Sequence, residues 1–280
     1  MQIERAREMG FCFGVRRAIN LFEQGAREHG TVESLGAVVH NRQVVNHLLA
    51  VGVKVIDGVQ QIHGNVVAIP SHGVSRELFD RLKNSDFKII DATCPFVRRA
   101  QNAAQALAQS DFKVVIFGDS DHVEVRGVLG WSQGKGIATR DIDIACAEHP
   151  HRLGVMAQTT ENTERFAQFI EELTEKYLAG INELRVVNTI CDATMERQEA
   201  ALELAARSDL MLVIGDRHSA NTRRLVELCS EFGVETHLVE SVQQLENAWF
   251  KGKQHVGITA GASTPDETIE QVINYVQHLE

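Results

Sequence analysis

The chain has 280 residues, 44% hydrophobic and 24% charged, with only 4 prolines, a composition that suits a globular protein with a sizeable core and excludes disordered, collagenous and membrane-embedded classes. Its 28 basic and 38 acidic residues leave a formal net charge of −10. That balance argues against a broad basic surface for nucleic acid or an anionic membrane, so any anionic ligand must be held locally.

The N-terminal stretch MQIERAREMGF carries charges where a signal peptide needs an apolar core, and no run of about 18 apolar residues follows. The expectation is a cytoplasmic protein. An odd count of five cysteines, none closely paired, argues against a disulfide framework. No HExxH or CxxC run is present, which leaves a structural zinc site without its usual local ligands.

Taken in chain order, the elements repeat three times. Each unit opens with a short apolar run, a cysteine and an amphipathic helical pattern: Met9-Gly-Phe-Cys12-Phe-Gly-Val-Arg-Arg, Ile90-Asp-Ala-Thr-Cys94-Pro-Phe-Val-Arg-Arg and Asn188-Thr-Ile-Cys191-Asp-Ala-Thr. A second apolar run (SLGAVVH, KVVIFGDSDH, DLMLVIGDRHS) then reads as a strand entering a loop, and 28 residues after each cysteine stand His40, His122 and Ser219. A last strand ends on small or polar residues, at Ser71 and His72, at Thr159 and at Ser263. The closing helices are SRELFDRLKN, ENTERFAQFIEELTEKYL and PDETIEQVINYVQHL, with apolar positions at three- and four-residue steps.

Strands alternating with helices predict an α/β fold of three pseudo-equivalent parallel-sheet units arranged around a central cluster and substrate cavity, spanning 1–88, 89–184 and 185–280 with short joints near 88 and 184. Parallel α/β units bind ligands beyond the carboxyl ends of their strands. Each unit therefore offers a cysteine after its first strand, a His or Ser after its second, and a polar residue after its last.

A cysteine at a helix N-terminus has its thiolate favoured by the helix dipole, and Thr93-Cys94-Pro95 places proline where a helix begins. Three thiolates from separate loops suit an iron–sulfur cluster better than zinc, and a [4Fe–4S] cluster with three cysteines keeps one open iron that can act as a Lewis acid.

Several motifs, in this order along essentially the whole chain, resemble the 4-hydroxy-3-methylbut-2-enyl diphosphate reductase family. They are Gly10-Phe-Cys12-Phe-Gly14-Val-Arg-Arg-Ala, Val39-His40-Asn41, Ser71-His72-Gly73, Asp91-Ala-Thr-Cys94-Pro, His122-Val-Glu124-Val, Gln158-Thr159-Thr160, Asn188-Thr-Ile-Cys191 and Ser219-Ala-Asn221-Thr. The resemblance implies an iron–sulfur oxidoreductase for the last step of the non-mevalonate isoprenoid pathway: reductive loss of an allylic hydroxyl, with two electrons and two protons, giving isopentenyl and dimethylallyl diphosphates and water. It implies that Cys12, Cys94 and Cys191 hold one [4Fe–4S] cluster with an open apical iron, that Glu124 donates a proton and that Thr159 positions and relays it. It further implies that His40, His72, His122, Thr159, Ser219, Ala220, Asn221 and Ser263 bind the substrate, and that ferredoxin or flavodoxin supplies electrons. His122 and Glu124, two residues apart, are expected to share one face of an extended segment.

Two departures from the family pattern are visible. Ala220 stands where a second serine is usual, and Asp216-Arg217-His218 replaces a Gly-rich, Asn-containing lead-in. The expectation is that the Ala220 backbone N–H still serves the diphosphate, with His218 or Arg217 compensating for the missing hydroxyl. Cys146, Cys229 and the other histidines read as structural, and Arg16, Arg17, Arg98 and Arg99 as a solvated helix face. A phosphate-binding module with packing cysteines and a thiol enzyme built on Cys94 are the alternatives from other classes. Walker A and GxGxxG fingerprints are absent, so neither nucleotide hydrolysis nor a nicotinamide cofactor is favoured. The default state is a monomer with no nucleic-acid or membrane partner.

Overall fold

The computed structural model describes residues 1–279. The chain begins with β1 (Gln2–Arg5), α1 (Phe13–His29), β2 (Val32–Leu35), α2 (Arg42–Ala50), β3 (Val53–Ile56), β4 (Val66–Ile69) and α3 (Arg76–Lys83). It continues through β5 (Lys88–Asp91), α4 (Pro95–Gln109), β6 (Lys113–Phe117), α5 (Val123–Leu129), β7 (Gly136–Thr139), α6 (Ile142–Ala145), β8 (Arg152–Ala157) and α7 (Thr163–Tyr177). It ends with β9 (Glu183–Val187), α8 (Asp192–Ala205), β10 (Leu210–Ile214), α9 (Ala220–Glu231), β11 (Glu235–Val239), β12 (His255–Ala260) and α10 (Asp266–Gln277).

Local chemistry explains where these helices start. Ser75 and Asn162 accept the backbone N–H of Leu78 and Arg165 and so cap α3 and α7. Cys94 occupies the cap of α4 with Pro95 in its first turn, as the sequence predicts. The central strands are buried apolar runs, β10 fully so from Leu210 to Ile214, as parallel strands covered on both faces must be.

The described residues form three four-stranded parallel sheets, ordered β3-β2-β4-β5, β7-β6-β8-β9 and β11-β10-β12-β1. Numbered within each sheet, with β1 counted after β12, all three follow the order second, first, third, fourth. The strand order reverses between the first and third strands, and the loops leaving those two strands frame a crevice, the usual ligand position in an open α/β sheet.

The strand before each cysteine is the fourth strand of a sheet, at its edge, rather than the first strand of a new unit. β5 leads to Cys94, β9 to Cys191, and β1, paired in parallel with β12 (Gln2 opposite His255), leads to Cys12. The joints expected near 88 and 184 therefore fall within β5 and β9.

Contacts gather the chain into two compact units: Met1–Arg16 with Val39–His47 and Asp192–Glu280, and Arg17–Val38 with Leu48–Cys191. The first holds the β11-β10-β12-β1 sheet. Its core joins Leu212, Ile214, Val256 and Ile258 to Ile269, Val272 and Ile273 of α10, while Ala201, Leu204 and Cys229 pack against Met211 and Val213. The second holds the other two sheets. There Trp131 Nε1 and Gln101 Nε2 both donate to the Val74 carbonyl, at 2.9 and 3.3 Å, tying α4 and the end of α5 to the loop that follows β4.

Candidate active site

In the second unit, the crevice between β6 and β8 holds a carboxyl group. Glu124 lies in the first turn of α5, only 5% exposed, and Thr159 follows the end of β8 at 4%. The Thr159 backbone N–H donates to Glu124 Oε1 at 2.9 Å and its hydroxyl to Oε2 at 2.7 Å. Burial lifts the Glu124 pKa above the usual carboxylate range; the two Thr159 hydrogen bonds oppose that rise, and the charge of Glu161 adds to it. Glu161 is itself buried and paired with Arg140.

His122 and Glu124 do not share an extended segment. His122 is the cap of α5, and its Nδ1 accepts the Glu124 backbone N–H at 3.2 Å. An Nδ1 acceptor places the proton of the neutral ring on Nε2. His72, after β4, has Nδ1 3.0 Å from the Gly73 carbonyl oxygen, which can only accept, so in the neutral ring the proton sits on Nδ1 and Nε2 is an acceptor. Gly73 must be glycine: φ is +71°, and a Cβ there would stand 2.4 Å from Gln101 Nε2 and 3.1 Å from Thr93 Cγ2.

In the first unit, Ser219 caps α9 and accepts the Thr222 N–H at 3.4 Å. Ala220 opens that helix. Asn221 is 4% exposed, and neither its Nδ2 nor its Oδ1 has a hydrogen-bond partner among the described residues. A buried amide normally finds partners; its open Nδ2 donor at a helix N-terminus matches an oxyanion ligand that the helix dipole also favours. The Ser263 hydroxyl donates to the His40 carbonyl at 3.1 Å, holding together the loops that carry these two residues. Burial lowers the His40 pKa, with Asp216 opposing it. Arg217 is occupied by Glu240, through both backbone N–H and Nε; of the two side chains expected to compensate for Ala220, only the exposed His218 is left to do so.

The cysteines repeat one arrangement. The Cys12 N–H donates to the Ala262 carbonyl at 3.2 Å, Cys94 to Ser71 at 2.9 Å and Cys191 to Thr159 at 3.0 Å. Each cysteine is thus stitched to the loop after the third strand of its own sheet. All three are half-buried and in no disulfide, and each directly precedes a helix; the Val15 N–H points to Cys12 Sγ at 3.4 Å. Cys229 and Cys146 are buried instead, and burial raises both thiols, Cys229 to about 12. Among the described residues no three His, Cys, Asp or Glu side chains stand together as a metal site. The donor set nonetheless fits an iron–sulfur centre chemically: three half-buried soft thiol ligands, each directly before a helix.

Two of the arginines read as a solvated helix face have a different role. Arg16 and Arg98 do form ion pairs, with Asp266 and Asp91. Arg17 instead donates to the carbonyls of Thr93 and Asp91, and Arg99 to that of Ile190, in the loops leading into Cys94 and Cys191. Carbonyl acceptors leave no signal in a sequence.

Comparison with known proteins gives a consistent result. A protein from Dehalococcoides mccartyi (strain ATCC BAA-2266 / KCTC 15142 / 195), named 4-hydroxy-3-methylbut-2-enyl diphosphate reductase, is 45% identical over all of this chain and 99% of its own. One of the same name from Aquifex aeolicus (strain VF5) is 41% identical over 98% of this chain and 95% of its own. A solved structure of (E)-4-hydroxy-3-methyl-but-2-enyl diphosphate reductase, the terminal enzyme of the non-mevalonate pathway, is 39% identical and superimposes with a TM-score of 0.72, each chain 99% covered. The fold is shared as well by the E-1-hydroxy-2-methyl-but-2-enyl-4-diphosphate reductase from Plasmodium falciparum, at a TM-score of 0.92 and 24% identity over 99% of this chain and 88% of that one. The family model for LytB protein matches residues 3–277, and the chain belongs to that family.

Proposed function

We propose that this protein reduces (E)-4-hydroxy-3-methylbut-2-enyl diphosphate to isopentenyl and dimethylallyl diphosphates, releasing the allylic hydroxyl as water. The observation that carries the reading is the Glu124–Thr159 pair: a buried carboxyl, made a weaker acid by its surroundings and held through both oxygens at a strand-end crevice. Such a group keeps its proton to higher pH than an ordinary carboxyl and can deliver it to a departing hydroxyl.

Cys12, Cys94 and Cys191 would hold one [4Fe–4S] cluster with an open iron, which when bound supplies electrons and a Lewis-acid site. Glu124 gives the proton that makes the hydroxyl leave as water. Thr159 fixes the carboxyl and relays the proton. The second proton of the two-electron reduction goes to the allyl carbon skeleton. His40, His72, His122, Ser219, the Ala220 N–H, Asn221 and Ser263 bind the substrate, whose diphosphate oxygens suit the open amide of Asn221 and the amides opening α9. Ferredoxin or flavodoxin would bring the electrons, and an edge strand of each of the three sheets leads to one cysteine.

Among the described residues no helix is long and apolar enough to cross a membrane. The test is iron and acid-labile sulfide per chain after anaerobic reconstitution, for the wild type and Cys94→Ser. About four of each, lost on substitution, supports the reading. A well-folded wild type without iron favours a phosphate-binding module instead.

A further inference from the structure

The three helices that follow the cysteines each send one arginine to the loop of a different cysteine, in cyclic order. Arg17 of α1, five residues after Cys12, binds the Thr93 carbonyl beside Cys94 at 3.2 Å. Arg99 of α4, five after Cys94, binds the Ile190 carbonyl beside Cys191 at 3.1 Å. Arg197 of α8, six after Cys191, binds the Gly10 carbonyl two residues before Cys12 at 2.9 Å.

Among the described residues none of the three is paired with a carboxylate, although Arg16 and Arg98, their neighbours in sequence, are. Arg197 is the extreme case. It is 3% exposed, its other bond is to the Ala193 carbonyl, and its Nε has no partner. A buried guanidinium without a counter-anion is costly. Buried Arg197, half-buried Arg17 and exposed Arg99, each bonded to the backbone of a loop that presents a thiol, point to an anion supplied from outside the polypeptide.

We propose that Arg17, Arg99 and Arg197 are the counter-cations of the thiolate-ligated cluster, locking the three cysteine loops and favouring the reduced, more negative state. This rests on the cofactor reading above. The arginines act as positioning and electrostatic residues and need touch neither substrate nor cluster. Lower net negative charge around a cluster raises its potential, so removing one of these charges makes the cluster harder to reduce.

The experiment is an anaerobic potentiometric titration of reconstituted holoenzyme with reduced viologen as the electron source, followed by the paramagnetic signal of the reduced cluster, with iron and sulfide measured on each sample. Arg197→Gln is expected to be reduced at a more negative potential than wild type, and Arg197→Lys, which keeps the charge, close to wild type. A fully loaded Arg197→Gln at the wild-type potential overturns the proposal, as does a Lys variant displaced as far as Gln. Should Arg197→Gln not fold, Arg99→Gln, at an exposed side chain, is read in its place: a negative shift supports the proposal and an unchanged potential overturns it. A wild type that binds no iron removes the cofactor reading and this inference together, an outcome the iron analysis separates from the others.

Discussion

Thr159 binds both carboxyl oxygens of Glu124, one through its backbone N–H at 2.9 Å and one through its hydroxyl at 2.7 Å. The backbone of the same residue accepts the Cys191 N–H at 3.0 Å. A single residue at the end of β8 thus connects the acid to a cysteine loop. The orientation of the carboxyl is fixed by the main chain as much as by a side chain.

Glu124→Gln keeps the shape of the acid and removes its proton. Turnover is expected to fall about 10²- to 10⁴-fold, the usual share of a general acid, with substrate binding little changed. Steady-state kinetics that left kcat within a few-fold of wild type would remove Glu124 from the proton-donor role.

The raised pKa of Glu124 also sets a pH dependence. A proton donor acts in its protonated form, so kcat should fall as pH rises through the folded-state value. The Thr159 bonds lower that value, and Thr159→Val should move the alkaline limb to higher pH. For stability the sign is the same: the folded state holds this proton more tightly than the unfolded chain, so Glu124 costs stability as pH rises above the ordinary carboxylate range. Relative to wild type, Glu124→Gln should therefore gain stability from mildly acidic to neutral pH, as urea titrations at several pH values would reveal.

Asn221 separates binding from folding. Its amide is buried without partners among the described residues, so Asn221→Ala should leave stability within about 1 kcal/mol of wild type, since an unsatisfied polar group is removed as well as packing. If the amide serves the diphosphate, KM should rise about tenfold or more, the weight of a hydrogen bond to a charged group. Destabilisation with unchanged KM would make Asn221 a packing residue.

Gly10 has a conformational reason to be glycine. Its φ is +74°, and a Cβ would meet Ile269 Cδ1 at 2.9 Å. Gly10→Ala should cost about 1–2 kcal/mol from backbone strain and displace the loop that carries Cys12. Thermal melting and iron content after reconstitution should both drop, and a variant normal in both would show that the loop tolerates the shift.

The missing hydroxyl at position 220 is testable through its neighbour. With Arg217 held by Glu240, compensation falls to His218 and the Ala220 N–H. His218→Ala should raise KM, and adding Ala220→Ser to it should restore binding. An unaltered KM in His218→Ala would end the idea of compensation.

Much of this architecture is legible in the sequence because it repeats. The shared 28-residue offset marks equivalent loops: His122 and Ser219, and Asn41, one residue beyond His40, accept N–H groups at the starts of α5, α9 and α2. Histidine is not an ordinary cap, so the spacing of His122 and Glu124 suggested a strand where a helix begins. The edge strand β1 was equally obscure: QIER is short and polar, and its partner β12 lies at the far end of the chain. The arginines were hidden for another reason. Arg16 and Arg17 are adjacent and chemically identical, and only the fold decides which meets a carboxylate and which a carbonyl.

The most direct test is product analysis under anaerobic conditions, with reconstituted enzyme, reduced viologen and (E)-4-hydroxy-3-methylbut-2-enyl diphosphate. Isopentenyl and dimethylallyl diphosphates should accumulate with wild type and fall to background with Cys94→Ser. Cluster-loaded, folded protein that consumes no substrate would contradict the assignment.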